Sequence, residues 1–269
     1  MKILRGLVKS LINLWPMYRQ GERQCKYQQR IKDVNSMQLY YYMREKFMPN
    51  DVLKLQTEKG DLFFFLPDFP RNGTSMEIIL TQDFSERELL DNVKQYITSD
   101  SVVADIGANI GNHTLYFSYY LSPAKILAFE PQKSIFQILQ KNCELNNLQN
   151  KVELYNCCLG EKEAFANLED VVMNNAGATS FAACDTPTDY KVITLDSLNL
   201  TRLDFIKIDV EGHELDVFKG AAETIKRCSP VIWSETLTRG HKKTLYRYLK
   251  SFGYTVQPLD DTNSLFLPK

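Results

Sequence analysis

Residues 101–115, SVVADIGANIGNHTL, constrain this chain more than any other stretch. An apolar run from Ser101 to Ala104 ends in Asp105, and a turn containing Gly107 and Gly111 precedes His113, Thr114 and Leu115, which open a helical pattern. A buried strand, a tight glycine turn and a helix N-terminus follow in succession, as in a protein built of sheet and helices. Glycine lets the backbone take strained angles and come close to a bound molecule. Asp105 adds a carboxylate at the carboxyl end of the strand, where open α/β sheets bind ligands.

The next apolar run, Lys125 to Phe129, ends in Glu130-Pro131, about twenty residues past the turn, where an acidic side chain is placed to accept hydrogen bonds from a ribose diol. The two strand ends together read as a nucleoside site. A dinucleotide fits less well. Asp-Ile-Gly-Ala-Asn-Ile-Gly puts the acid ahead of the glycines, whereas a pyrophosphate cradle needs bare backbone N–H groups. Asp105 would repel a pyrophosphate and suits a ligand with an ammonium or sulfonium centre.

Three segments stand in order: D-x-G-A-N-x-G at Asp105 to Gly111, F-E-P at Phe129 to Pro131, and I-K-x-D-V-E-G-x-E at Ile206 to Glu214. In carrying them the chain resembles the class I S-adenosylmethionine-dependent methyltransferases and, more closely, the FkbM family, over residues 80 to 269. The resemblance implies an α/β fold: a class I methyltransferase-like three-layer sandwich with a mostly parallel seven-stranded sheet. It implies S-adenosyl-L-methionine as cofactor and O-methylation of a hydroxyl on a sugar or other small metabolite. Asp105, Gly107, Asn109, Gly111, Glu130 and Pro131 carry over as cofactor residues, with Cys158 and Leu159 bordering the adenine. Asn175, Gly177 and Ser180 match an Asn-x-Gly-x-x-Ser segment beside the active-site mouth and, with Glu211, are the candidate substrate contacts.

The sulfonium is already a good leaving group, so such a protein mainly aligns acceptor, methyl carbon and sulfur. A hydroxyl acceptor also needs proton removal. Asp209, ending the apolar run from Phe205, and Glu235, ending Val231 to Ser234, are the first candidates for the base; His213 and His241 are the reserve. Structural roles stand beside these readings: Asp209 can hold the Glu211-Gly212 turn, Glu214 can face the N-terminus of the following helix, and His241 can be an exposed helix-start residue. The 209–214 segment differs from H-E-x-x-H and offers a single imidazole among carboxylates, so no metal is expected. A nucleotide-dependent oxidoreductase and a noncatalytic nucleoside-binding protein are the alternatives.

A chain of 269 residues with 44% hydrophobic content can bury a sizeable core. With 32 basic and 33 acidic residues it has no excess positive charge, so nucleic acid is not an expected partner. The six cysteines include no C-x-x-C pair and read as reduced thiols of a cytoplasmic enzyme. N-x-S/T triplets occur at Asn72, Asn112 and Asn199; glycosylation of Asn112 would block the ligand loop, which points to an intracellular protein or to one made where that modification is absent.

Residues 1–50 read as a helical N-terminal extension or cap, 51–80 as a small β-rich lead-in and 81–269 as the cofactor-binding domain. Leu4, Leu7, Val8, Leu11 and Trp15 form an apolar stripe beside Lys2, Arg5 and Lys9. It is too interrupted for a transmembrane helix and suits packing on the domain, on a second subunit of a homo-oligomer, or on a membrane surface. Leu53–Leu55 and Leu62–Leu66 are expected strands, 68–74 a loop, and a helix capped by Ser85 should run to Tyr96. Residues 163–190 read as a surface loop, and two strands near 254–257 and 264–267 as a terminal hairpin.

Overall fold

The computed structural model describes residues 44–45, 48–69, 72–168, 181–184, 186–236 and 238–269. The N-terminal stripe and Asn175, Gly177 and Ser180 lie outside the described residues. Two compact units divide between Ser85 and Glu86.

In the first unit, β1 (Val52–Thr57) and β2 (Gly60–Phe65) form an antiparallel hairpin whose register runs from Val52↔Phe65 to Thr57↔Gly60. Side chains alternate across a strand, so Leu53, Leu55, Leu62 and Phe64 share the buried face. The expected loop over 68–74 is shorter than the sequence suggests, because α1 (Gly73–Thr81) begins inside it. Asn72 caps that helix: its Oδ1 accepts from the Thr74 and Ser75 amides at 3.0 and 3.3 Å. Ser85 caps nothing. Its hydroxyl donates to Glu77 at 2.5 Å, and α2 (Arg87–Val93), which belongs to the second unit, starts instead from Glu86, a left-handed residue (φ 58°) with no side-chain cap.

The second unit carries the main sheet. Its strands are β3 (Val102–Ile106), β4 (Lys125–Phe129) and β5 (Val152–Tyr155). Four strands of a smaller sheet follow: β6 (Cys158–Leu159), β7 (Ala164–Leu168), β8 (Phe181–Cys184) and β9 (Tyr190–Ile193). The main sheet then resumes with β10 (Phe205–Ile208), β11 (Val231–Glu235), β12 (Thr255–Pro258) and β13 (Asn263–Leu267). The seven-stranded order is β12-β13-β11-β10-β3-β4-β5, with β13 antiparallel to both its neighbours and the five strands from β11 to β5 parallel. This is the α/β architecture expected.

The helices are α3 (Asn112–Tyr116), α4 (Lys133–Leu145), α5 (Glu214–Lys219), α6 (Ala222–Cys228) and α7 (Arg239–Ser251). On one face of the sheet Ala104, Ile106, Ile206 and Ile208 join Val217, Phe218, Ile225, Leu245 and Leu249 from α5, α6 and α7 in one core. Chain order turns back between β3 and β10, one branch running outward through β4 and β5 and the other through β11. That is the topological switch point, and the crevice beyond its strand ends is where this class of sheet binds ligands.

The surface loop expected over 163–190 is instead bordered by strand on both sides. β7 pairs antiparallel with β8 and β9, and β9 runs parallel to β6. Buried Ala166 and Val192 explain why these flanks order themselves despite the polar stretch between them. Cysteines 143, 157, 158, 184 and 228 are free thiols. Asn72 and Asn112 are buried. No helix among the described residues is long and apolar enough to cross a membrane.

The cap on α1 yields a test. Asn72→Ala leaves two helix amides without their acceptor at a buried position, so unfolding in urea should show a loss of about 1–2 kcal/mol. An unchanged midpoint would remove Asn72 as the determinant of the helix start.

Candidate active site

A cavity of about 810 Å³ opens beyond the carboxyl ends of β3, β4 and β10, a volume suited to a cofactor-sized ligand. Gly107 and Asn109 line it from the first strand, Glu130 and Pro131 from the second, and Asp209, Glu211 and His213 from the third. Cys158 and Leu159 close another side.

Gly107 has φ +74°, and a Cβ there would stand 1.8 Å from the Asp209 carbonyl oxygen. The glycine is therefore demanded by the approach of the β10 backbone, in addition to any ligand. The Gly107 and Ala108 amides both donate to the Phe129 carbonyl, at 3.0 and 2.9 Å, which ties the turn to β4. Gly111 (φ +92°) does not line the cavity; a Cβ there would meet Leu139 Cδ1 at 2.7 Å, so this glycine seats α4 against the turn. Asp105 also stays out of the cavity. It is fully buried and accepts a 2.5 Å hydrogen bond from Thr114 Oγ1, anchoring the start of α3. The acidic residues that line the cavity are Glu130, Glu161, Asp209, Glu211 and Asp216.

Glu130 accepts from the Asn109 amide at 3.1 Å through Oε2 and from the Gln132 amide at 2.8 Å through Oε1. Two donors leave the carboxylate lone pairs for a ligand's hydroxyls. Burial raises its pKa to about 7, against those two amides and Lys207, which favour the anion. Asn156 secures the segment by donating to the Glu130 and Pro131 carbonyls at 2.8 and 2.9 Å. Burial likewise pushes the Cys158 thiol up to about 12, so it is a neutral, apolar wall rather than a nucleophile.

At the end of β10 the Asp209 amide donates to the Ile106 carbonyl at 3.0 Å, and its side chain is 31% exposed at the cavity. Glu211 follows in a left-handed conformation (φ 53°), its pKa pushed to about 7 by burial and by Asp209. Glu214 turns back to accept from the Gly212 amide at 2.9 Å, in the first turn of α5. Glu235 does not line the cavity; burial, then Asp209 and Glu86, raise it to about 9. Of the two carboxylates expected to serve as base, Asp209 lines the cavity and Glu235 does not.

His213 lines the cavity, with Nδ1 3.8 Å from Asp216 Oδ2. His241 is exposed near the start of α7, where its amide donates to Thr238 Oγ1 at 3.2 Å; its ring stands over Gly212, outside the cavity lining. The described residues contain no cluster that could hold a metal ion.

Sequence reasoning missed Lys207. It is 4% exposed, and its ammonium donates to the Gly107 carbonyl at 3.1 Å while standing 3.9 Å from Asp105 and 3.7 Å from Asp209. The signal was present: a lone charge in Phe205-Ile206-Lys207-Ile208, a strand buried on both faces. Gln132, Glu161 and Lys162 also line the cavity and carried no comparable signal.

The profile of the methyltransferase FkbM domain matches residues 105–256, more than half of the chain. The chain belongs to the FkbM methyltransferase family. Methyltransferase 1 of Beauveria bassiana is 32% identical over 147 residues, covering 45% of this chain and 58% of the relative. The hexuronic acid methyltransferase AglP of Haloferax volcanii is 26% identical over 151 residues, covering 55% and 61%. These matches span less than two thirds of either relative's length. A crystal structure of an FkbM methyltransferase from Methylobacillus flagellatus aligns with a TM-score of 0.49 at 20% identity, over 71% of this chain and 52% of the other.

In this FkbM domain Glu130, Glu211 and Glu235 all bind protons more tightly when folded than their ordinary pKa of 4.5 allows when unfolded. The folded state then holds more protons than the unfolded one from that pKa upward, and stability falls as pH rises. For Glu235 the fall extends to about pH 9. Urea midpoints of ligand-free protein should therefore decrease from about pH 5 to pH 9, and Glu235→Gln should flatten the upper part of that decline. Parallel curves for the variant and wild type would show that Glu235 ionises normally.

Proposed function

We propose that this protein is an S-adenosylmethionine-dependent methyltransferase that O-methylates a hydroxyl of a sugar or other small metabolite. The observation that carries the reading is Glu130, a buried carboxylate held by the Asn109 and Gln132 amides at the cavity wall. In that position it can accept both hydroxyls of a ribose. Cys158 and Leu159 offer an apolar wall for a nucleobase, and Asp209 and Glu211 offer negative charge to a cationic centre. When bound, the cofactor supplies an electrophilic methyl on a positively charged sulfur.

Asp209 is the residue suited to orient and deprotonate an acceptor hydroxyl, because it lines the cavity and is partly open to it. Glu235 lies outside the cavity lining and is less well placed than Asp209 to take a proton from an acceptor. His213, also at the cavity, is placed to receive or relay a proton from the rim. The hexuronic acid acceptor named for the AglP relative supports a saccharide acceptor here. Free thiols and the buried Asn112 support a reducing, intracellular setting.

Calorimetric titration with S-adenosylmethionine, S-adenosylhomocysteine and NAD separates this reading from an oxidoreductase, which should bind NAD. Glu130→Ala should weaken both sulfur ligands alike, by roughly 1.5–3 kcal/mol, since both present the same ribose. Wild-type affinity for either ligand in the folded variant would reject the contact.

Methyl transfer to a panel of hydroxylated metabolites, hexuronic acids included, tests the acceptor class. With an acceptor in hand, Asp209→Asn should lower single-turnover transfer roughly 10²–10⁴-fold, far more than it lowers S-adenosylmethionine affinity. An undiminished rate across neutral pH would take Asp209 out of the chemistry.

A further inference from the structure

Lys207 is a full charge in the most deeply buried strand of the sheet. Isolated burial of an ammonium is costly, so its surroundings must hold it. The parallel register sets Lys207 beside Asp105 on the neighbouring strand, and the two-residue period brings Asp209 onto the same face. The ammonium reaches the Gly107 carbonyl at 3.1 Å, Asp209 Oδ2 at 3.7 Å and Asp105 Oδ1 at 3.9 Å. That Asp105 oxygen is buried and has no hydrogen-bond partner. Among the described residues no other cation pairs with Asp105 or Asp209.

We propose that Lys207 is a positioning residue that joins the Gly107 turn to the Asp209 carboxylate, so that one ammonium sets both the cavity floor and the state of the candidate base. The proposal rests on Asp209 serving as the base. Burial opposes the lysine's charge, but Asp209, Asp105, Glu86 and Glu235 outweigh it and hold its pKa above the ordinary value. Seen from Asp209, the other charges are all acids. Glu211 and Glu214 approach from the turn and α5, Glu130 from the end of β4 and Glu235 from β11. Without the lysine, that crowd of carboxylates would drive Asp209 toward its protonated form.

The hydrogen bond and the charge can be separated. Lys207→Gln keeps a donor for the Gly107 carbonyl and loses the charge; Lys207→Met loses both. In ligand-free protein, ¹³C titration of the aspartate carboxyls, with Asp209 assigned from its absence in Asp209→Asn, should place the Asp209 midpoint roughly 1–3 pH units higher in Lys207→Gln than in wild type. The acid limb of the transfer pH profile should move by the same interval. S-adenosylhomocysteine affinity should stay within about threefold for Lys207→Gln and fall further for Lys207→Met.

Coupling is reciprocal. The Lys207 side chain, followed by NMR in Asp209→Asn, should therefore lose its proton at a lower pH than in wild type, and this isosteric variant serves if the lysine variants do not fold. A lysine with a purely structural role would lower stability yet leave both titrations where they are, and that result would overturn the proposal. If Asp209→Asn keeps full transfer activity, the base assignment fails, whereas the ligand-free titrations still decide whether Lys207 and Asp209 are coupled.

Discussion

The close approach of the Gly107 turn to the backbone of β10 is the contact on which the rest of the site depends. A side chain at position 107 would place its first carbon 1.8 Å from the Asp209 carbonyl oxygen, closer than any non-bonded contact permits. Glycine lets the end of β3 fold across the end of β10, and the turn's amides then reach the Phe129 carbonyl of β4. Three strand ends are gathered at one point by this single absence of a side chain. Glu130, Asp209 and the cavity between them inherit their positions from it.

Gathering strand ends also gathers charge. Asp105, Glu130, the Asp209-to-Glu214 segment and Glu235 come from the ends of four different strands, and burial among them raises the proton affinity of Glu130, Glu211 and Glu235. The buried Lys207 is the counterweight. The acids of the site are not alike: Asp209 opens to the cavity, whereas burial, with Asp209 and Glu86 nearby, raises the proton affinity of Glu235. Such a division suits a ligand with a localised positive centre better than one with a pyrophosphate.

Local patterns carried much of this into view. The glycine turn, Glu130 after an apolar run and the alternation in the first hairpin were readable because each depends on neighbours within a few residues. The places where the structure differs from local expectation share one cause. Ser85 looked like a cap but bonds to Glu77, eight positions earlier, and Asn72, noticed only as a glycosylation triplet, caps α1. Gly111 and Asp105 belonged to the motif yet face α4 and α3 rather than the cavity. The flanks of the polar 163–190 stretch pair as strands because distant segments supply their hydrogen-bond partners.

The sequence by itself determined the strand-turn-helix start, the parallel sheet class and which residue types stand at its strand ends, because strand period, glycine conformations and helix starts are local properties of the chain. Only the tertiary structure decided which of those residues share a cavity, which carboxyls are buried and what the lone lysine of β10 pairs with. Those depend on register between strands about a hundred residues apart in the chain, such as Asp105 opposite Lys207, and on solvent exclusion. Neither burial nor cross-strand pairing is written at any single position.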